Sequence, residues 1–191
     1  MSAVAGLLLA AGAGRRYGMP KALVERDGVL LVERGAGLLS EGGCDPVLVV
    51  LGAAAAEVRS RANLSTVDVV VNGDWAQGMG SSLRAGLTAL ATAPSTVVAA
   101  LVLLVDLPGM TAPAVRRVAG HAAPEVLATA TYRGQRGHPV LLGRAHWAAA
   151  IELAVGDAGA RDLLRAHEHE LVRVPCDDIA DGTDLDRPAS G

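Results

Sequence analysis

The sequence predicts an α/β fold, a Rossmann-like three-layer sandwich around a mostly parallel central sheet. Two observations point there first. Continuous apolar runs at residues 4–10, 47–51 and 97–105 read as strands buried on both faces, because a half-exposed strand would alternate, and residues 67–71, rich in Val, read as a further strand. Helical stretches rich in Ala and Leu separate them, and strands alternating with helices at this interval build a parallel sheet covered on both sides. A third observation is positional: a glycine-rich loop follows the first strand directly, where ligands sit in open α/β sheets. With 191 residues the chain can bury a substantial core, and a single domain over residues 1–191 is expected.

Taken in order, the first strand breaks into a loop carrying Gly12, Gly14 and Gly18, with Arg15, Arg16 and Lys21 interleaved. Glycines let the backbone approach an anion and point amides at it, while basic side chains neutralise charge that the amides cannot. The loop fits neither familiar glycine template. A dinucleotide fingerprint needs its third glycine one residue earlier, and a Walker A loop needs Ser or Thr after its lysine, where this chain has Ala22. Lys21 is the single lysine among 17 basic residues. Its compact ammonium suits one phosphate oxygen in a tight place better than a guanidinium fork does.

Residues 30–39 form the next predicted helix, ended by Gly42 and Gly43. A helix at 53–62 joins the second and third strands. Over residues 72–90, turn residues lead to Ser81 and Ser82, good N-caps for a helix whose Leu83, Leu87 and Leu90 share one face. Gly78 and Gly80 before them leave amides open to an anion or a base edge. The run at 97–105 is the longest, and it ends in Asp106. A buried strand that delivers a carboxylate at its carboxyl end places charge where ligands bind. An unpaired buried carboxylate is costly, so a cation is its natural partner, and Mg²⁺ uses one or two carboxylates plus phosphate oxygens. The bland alternative for Asp106 is a cap for the helix starting near Ala112, or an arginine partner.

Strands at 126–132 and 139–142 follow, joined by a hairpin-like connection with His138 at its end. Trp147, Ile151 and Ala154 line one face of a core helix. Asp157 reads as the N-cap of the helix after it, and Arg161 as a group able to reach a phosphate. His167 and His169 belong to a solvated helix end. The acidic segment from Cys176 onward reads as solvated chain.

The totals exclude several classes. Apolar residues make up 51% of the chain and rule out disorder; no Phe, two Trp and two Tyr leave few stacking platforms for bases, and a net charge of -3 disfavours duplexes, so no nucleic-acid partner is expected. No apolar run reaches the ~18 residues of a membrane span, nor does a basic segment precede the first strand as in a signal peptide. A cytoplasmic protein without membrane attachment is expected. Two cysteines, Cys44 and Cys176, lie far apart without metal spacing and read as reduced structural thiols.

The string LAAGAGRR-GMPKAL resembles the signature loop of the molybdenum-cofactor nucleotidyltransferases, in the cytidylyl branch. The guanylyl branch usually has Leu-Ala-Gly-Gly where this chain has Leu9-Ala10-Ala11-Gly12; Tyr17 departs from the usual Met. Residues 72–83 resemble the family's Asn-Pro-x-Trp-x-x-Gly-Met-x-x-Ser-Leu stretch, with Gly73 for Pro. Asp106-Leu107-Pro108, Gly137-His138-Pro139-Val140 and residues 156–161 match further family motifs in family order. Asp184-Leu185-Asp186-Arg187-Pro188 resembles Asp-Ile-Asp-Thr-Pro, with Arg187 as a departure.

The resemblance implies a fold of the nucleotide-diphospho-sugar transferase type and a Mg²⁺-dependent transfer of CMP from CTP to molybdenum-bound molybdopterin. Arg16, Lys21 and Asp106 are implied as catalytic. Ala10, Ala11, Gly12, Gly14, Arg15, Gly78, Ser81 and Ser82 are implied at the nucleotide, and His138, Asp157 and Arg161 at the phosphorylated acceptor. The metal falls to Asp106 and Asp184, with Asp186 as a competitor for the second position. A molybdenum hydroxylase, or its insertion chaperone, is implied as recipient of the product. Left open are a sister transferase using GTP or a sugar or polyol phosphate, and a nucleotide-binding module without turnover.

Overall fold

The computed structural model describes residues 2–185. Its sheet begins with β1 (Ala3–Ala10), and a minor hairpin follows, β2 (Glu25–Arg26) with β3 (Val29–Leu30). The chain continues through α1 (Leu31–Glu41), β4 (Val47–Leu51), α2 (Ala55–Arg61), β5 (Asp68–Val71), α3 (Met79–Leu90), β6 (Val97–Leu104) and α4 (Ala112–Ala119). It ends with β7 (Leu127–Tyr132), β8 (Gln135–Gly143), α5 (Trp147–Leu153), α6 (Arg161–Ala166) and β9 (Val172–Pro175).

The seven-stranded sheet runs β5-β4-β1-β6-β8-β7-β9. All neighbours are parallel except at β8, which is antiparallel to both β6 and β7. The α/β class and the mostly parallel sheet are therefore as the sequence predicts. The central strand β1 pairs Leu7 with Leu48 of β4 on one side and with Val102 of β6 on the other.

Pleating splits the strands between two cores. Leu8 and Ala10 join residues of α1, α2 and α4 on one face, while Leu7 and Leu9 join α3, α5 and α6 on the other. Burying each of these leucines contributes on the order of 1.5–3 kcal/mol. Glycines let two helices press on β1. A Cβ added at Gly35 would lie 2.8 Å from a Leu8 methyl, and one at Gly86 would lie 2.5 Å from a Leu7 methyl.

Three differences from the sequence reading bear on function. First, α3 begins at Met79, two residues before Ser81, and its N-cap Gly78 has no side-chain cap. Gly78 turns the chain at φ 104°, a conformation that lets the helix start early, and the serines are recruited inward by Asn72. Second, Asp157 does not cap α6, whose N-cap is Ala160; its Oδ1 accepts from the Met79 amide of α3 at 3.3 Å. Third, the acidic segment after β9 is not loose chain. The Cys176 amide donates to Thr131 O at 3.0 Å, Asp181 to Gly109 O at 3.1 Å and Leu185 to Asp106 O at 2.8 Å, so residues 176–185 form a strap over the end of β6. Strand β9 is additional to the expected elements, and β8 extends the expected strand at 139–142 back to Gln135, because a four-residue edge strand and a polar strand start carry little apolar signal.

Candidate active site

The glycine loop, the carboxyl ends of β1 and β6, and the start of α3 enclose a cleft of about 390 Å³. Its glycine-loop side is residues 11–15 with Lys21. The loop is folded on itself: Gly18 N donates to Gly14 O at 2.8 Å, and Gly14 takes φ 62°. A Cβ there would lie 1.8 Å from Met19 O, so only glycine fits, whereas one at Gly12 would meet nothing within 4 Å. The mouth of the loop is open at Gly12, as an approaching anion requires. Ala10 ends β1 and is buried in the core beneath the loop. Arg15 lines the cleft; Arg16 is exposed beside it and is not part of the lining.

Lys21 opens a one-turn 3-10 helix, Lys21–Leu23, after Pro20. Its Nζ donates to Asp106 Oδ2 at 2.7 Å across 85 residues of sequence. Asp106 lies just past β6, on the cleft wall. Its other oxygen, Oδ1, is buried without a hydrogen-bond partner. A buried carboxylate oxygen left unmet is costly and marks a place for a further cation. The Leu185 amide on Asp106 O brings the neighbouring Asp184 to the same end of β6. Two aspartates supplying hard oxygens suit Mg²⁺, which keeps waters and phosphate oxygens for its other positions, so the donor chemistry fits such an ion. No cluster of three or more metal-ligating side chains occurs among the described residues. Asp186 and Arg187 lie outside the described residues.

The opposite wall is the start of α3, where Gly78, Met79 and Ser82 line the cleft together with Trp75, Ala76 and Asp157. Ser81 is buried beneath them. Asn72 Nδ2 donates to Ser81 Oγ at 2.8 Å and to Ser82 Oγ at 3.1 Å, and Ser81 Oγ lies 2.8 Å from Gly78 O and 3.0 Å from Asp74 O as a donor. The serines thus brace the loop through Asn72. Sequence reading missed Asn72, Trp75 and Gly52 in this wall. A Cβ at Gly52 would lie 2.6 Å from Ala11 O and 2.7 Å from Trp75 Cβ. The signals for Asn72 and Trp75 were their places in the Asn-Pro-x-Trp-like stretch, an Asn directly after a strand and a tryptophan in a loop, which mark a turn without saying what it braces.

His138 and Arg161 stand apart from the cleft lining. His138 is half-buried on β8, and the Tyr132 hydroxyl donates to its carbonyl at 2.8 Å. Burial pushes its imidazole down to about 4, with the Asp106 carboxylate pulling the other way. Arg161 is the exposed first residue of α6.

A mostly parallel α/β sheet with a glycine loop, a lysine and an aspartate at its carboxyl end suits a protein that binds a phosphorylated ligand together with a cation. The chain belongs to the family described as the MobA-like NTP transferase domain, which matches residues 6–171. It is 41% identical to a protein of Paenarthrobacter nicotinovorans named nicotine blue oxidoreductase, over 96% of this chain and 92% of that one. It is 34% identical to a probable molybdenum cofactor guanylyltransferase of Opitutus terrae, over 58% of this chain and 52% of the relative. Among solved structures, Rv0371c of Mycobacterium tuberculosis H37Rv superposes with TM-score 0.84 at 28% identity, covering 97% of this chain and 93% of that one. A manganese complex of Rv0371c matches with TM-score 0.75 at 26% identity, covering 91% and 88%. The sheet is thus of the nucleotide-diphospho-sugar transferase type, and no helix among the described residues is long and apolar enough to cross a membrane.

Proposed function

We propose that this cleft transfers CMP from CTP to the terminal phosphate of molybdenum-bound molybdopterin, releasing pyrophosphate. One observation carries the reading: Lys21, on the phosphate loop, meets Asp106, at the carboxyl end of β6, at 2.7 Å. A phosphate-binding cation and a metal-binding carboxylate then share one spot, which is where the α-phosphorus of a nucleotide would lie.

Such transfer needs positioning and charge stabilisation more than covalent help. Amides of residues 11–14, with Arg15, Arg16 and Lys21, hold the β- and γ-phosphates and stabilise the leaving pyrophosphate. Gly78, Ser81 and Ser82 shape the side of the cleft that receives base and ribose. Asp106 and Asp184 hold Mg²⁺. That ion supplies charge neutralisation at the reacting phosphoryl oxygens. His138, Asp157 and Arg161 are assigned to the acceptor, and an acceptor phosphate attacks without a general base at neutral pH. Ala11 in place of the guanylyl branch's glycine favours CTP by resemblance. The product would pass to a molybdenum hydroxylase or its insertion chaperone in the cytoplasm.

The test is pyrophosphate release with Mg²⁺ and molybdenum-bound molybdopterin, offering CTP, GTP, ATP and UTP separately. Release confined to CTP is expected. Release with GTP alone would move the protein to the guanylyl branch, and silence with all four would overturn the proposal.

The relative at 41% identity is named an oxidoreductase, which supports a second reading, reduction of an organic substrate in the same cleft. Its test is oxidation of NADH or NADPH by the purified protein with nicotine blue as acceptor. Turnover there, without pyrophosphate release, would establish it.

A further inference from the structure

The cleft supplies its own cation. Lys21 Nζ sits 2.7 Å from Asp106 Oδ2, with only 17% and 20% of the two side chains exposed. Asp106 Oδ1, buried, has no hydrogen-bond partner. A divalent cation on Oδ1 and the ammonium on Oδ2 would share one carboxylate and lie only a few ångström apart, so the two repel each other. The lysine has somewhere else to go. It follows a loop whose Gly12 and Gly18 face open space, on the side of the cleft where the proposed reading puts a polyphosphate.

We propose that Lys21 is a place-holder for the divalent cation on Asp106, and that a polyphosphate chain must draw its ammonium away before the cation can take its full position. Polyphosphate and cation therefore bind with coupled affinities, each raising that of the other. This rests on the reading of the cleft as a nucleoside triphosphate site, but it concerns the order in which the site fills and not the base or the acceptor. The coupling protects the empty site as well: Asp106 keeps a counter-charge when no nucleotide is present, so the buried carboxylate is never left wholly unpaired.

The experiment measures Mn²⁺ binding to the full chain without nucleotide, by the paramagnetic resonance signal of the free ion. Lys21→Met is expected to bind Mn²⁺ about ten-fold or more tighter than the unmodified protein, within the range usual for coupled sites; Lys21→Gln serves if the methionine variant misfolds. Arg15→Met, which removes a cation from the same cleft without touching Asp106, separates place-holding from general electrostatics and should give a several-fold smaller gain. The converse arm measures inorganic tripolyphosphate in EDTA: Asp106→Asn, freed of the ion pair, is expected to bind it more tightly than the unmodified protein. Equal Mn²⁺ affinity in Lys21→Met and the unmodified protein, or an equal gain in Arg15→Met, overturns the place-holder. Mn²⁺ binding to none of the variants, with or without tripolyphosphate, overturns it and the metal role of Asp106 together, whereas failure of the coupling alone leaves the transferase reading to its pyrophosphate assay.

Discussion

Asp157 caps a helix that is not its own: its carboxylate accepts from the backbone amide of Met79, 78 residues away, at 3.3 Å. The same turn contributes a second bond, Gly80 N to Gly156 O at 2.7 Å. The first amides of α3, which lack a capping side chain within their own segment, are thereby met from the far end of the fold. Asp157→Ala is expected to cost about 1 kcal/mol of stability, as loss of an N-cap does, with Asp157→Asn milder. Urea denaturation of the three proteins measures it. An unchanged midpoint in Asp157→Ala would show that the Gly156 carbonyl suffices.

Asn72 is the buried pin of the same wall, donating to Ser81 and Ser82 and accepting from the Asp74 amide at 2.9 Å. Asn72→Ala leaves two buried hydroxyls and an amide short of partners, at about 1–3 kcal/mol for an unmet polar group. Because the wall lines the cleft, nucleotide affinity should fall along with the melting temperature. Loss of stability with unaltered nucleotide affinity would show that Asn72 braces the helix and not the site.

The fold was legible where burial was strongest. The runs containing Leu7, Val49 and Leu101 have no room for an alternative, since strands apolar on both faces fit only a covered sheet. The loop was legible because glycines and basic residues cluster visibly. What the sequence could not show were relations between distant segments: the Asp157 cap on α3, the Asn72 bracing and the strap that returns Leu185 to Asp106. A residue's partner in space leaves no local periodicity, so Ser81 and Ser82 were read as caps when Asn72 claims them. The acidic segment read as solvated chain for the same reason: its anchors are backbone amides and partners far away in sequence, such as Arg117, which donates to both carboxylate oxygens of Asp178 at 2.6 and 2.9 Å.

Lys21→Ala and Asp106→Ala should each lower kcat by at least about 10²-fold, the loss typical of one preorganised charge at a reacting centre. Neither side chain belongs to the hydrophobic cores, so circular dichroism and the elution volume should match the unmodified protein. Near-normal turnover in either variant would remove the ion pair from the chemistry.

Cys44 and Cys176 are both buried and free. Burial pushes the Cys44 thiol up to about 12, so almost no thiolate forms at neutral pH, and burial also raises Cys176. Iodoacetamide should label neither in the native protein and both in denaturant. Rapid native labelling of Cys176 would mean that the strap beginning there opens readily.

His138 is expected to set an acid limb of stability. In the folded protein its imidazole is held down to about 4 from an ordinary 6.5, burial outweighing the attraction of Asp106. Below the ordinary value the unfolded chain takes up a proton that the folded chain refuses, so protonation favours unfolding. The neutral-state advantage is whole above pH 6.5 and is lost progressively as pH falls from about 6.5 towards 4, after which both states are protonated and the dependence flattens. His138→Asn lacks a titrating ring, and its urea midpoint should fall less than that of the unmodified protein over this interval, measured in EDTA to exclude bound metal. Parallel curves for the two proteins would place the acid limb elsewhere. At pH 7 and above the imidazole is neutral, so the proposed contact with an anionic acceptor would be a single hydrogen bond from a neutral ring, and acceptor affinity should stay flat from pH 7 to 8.5.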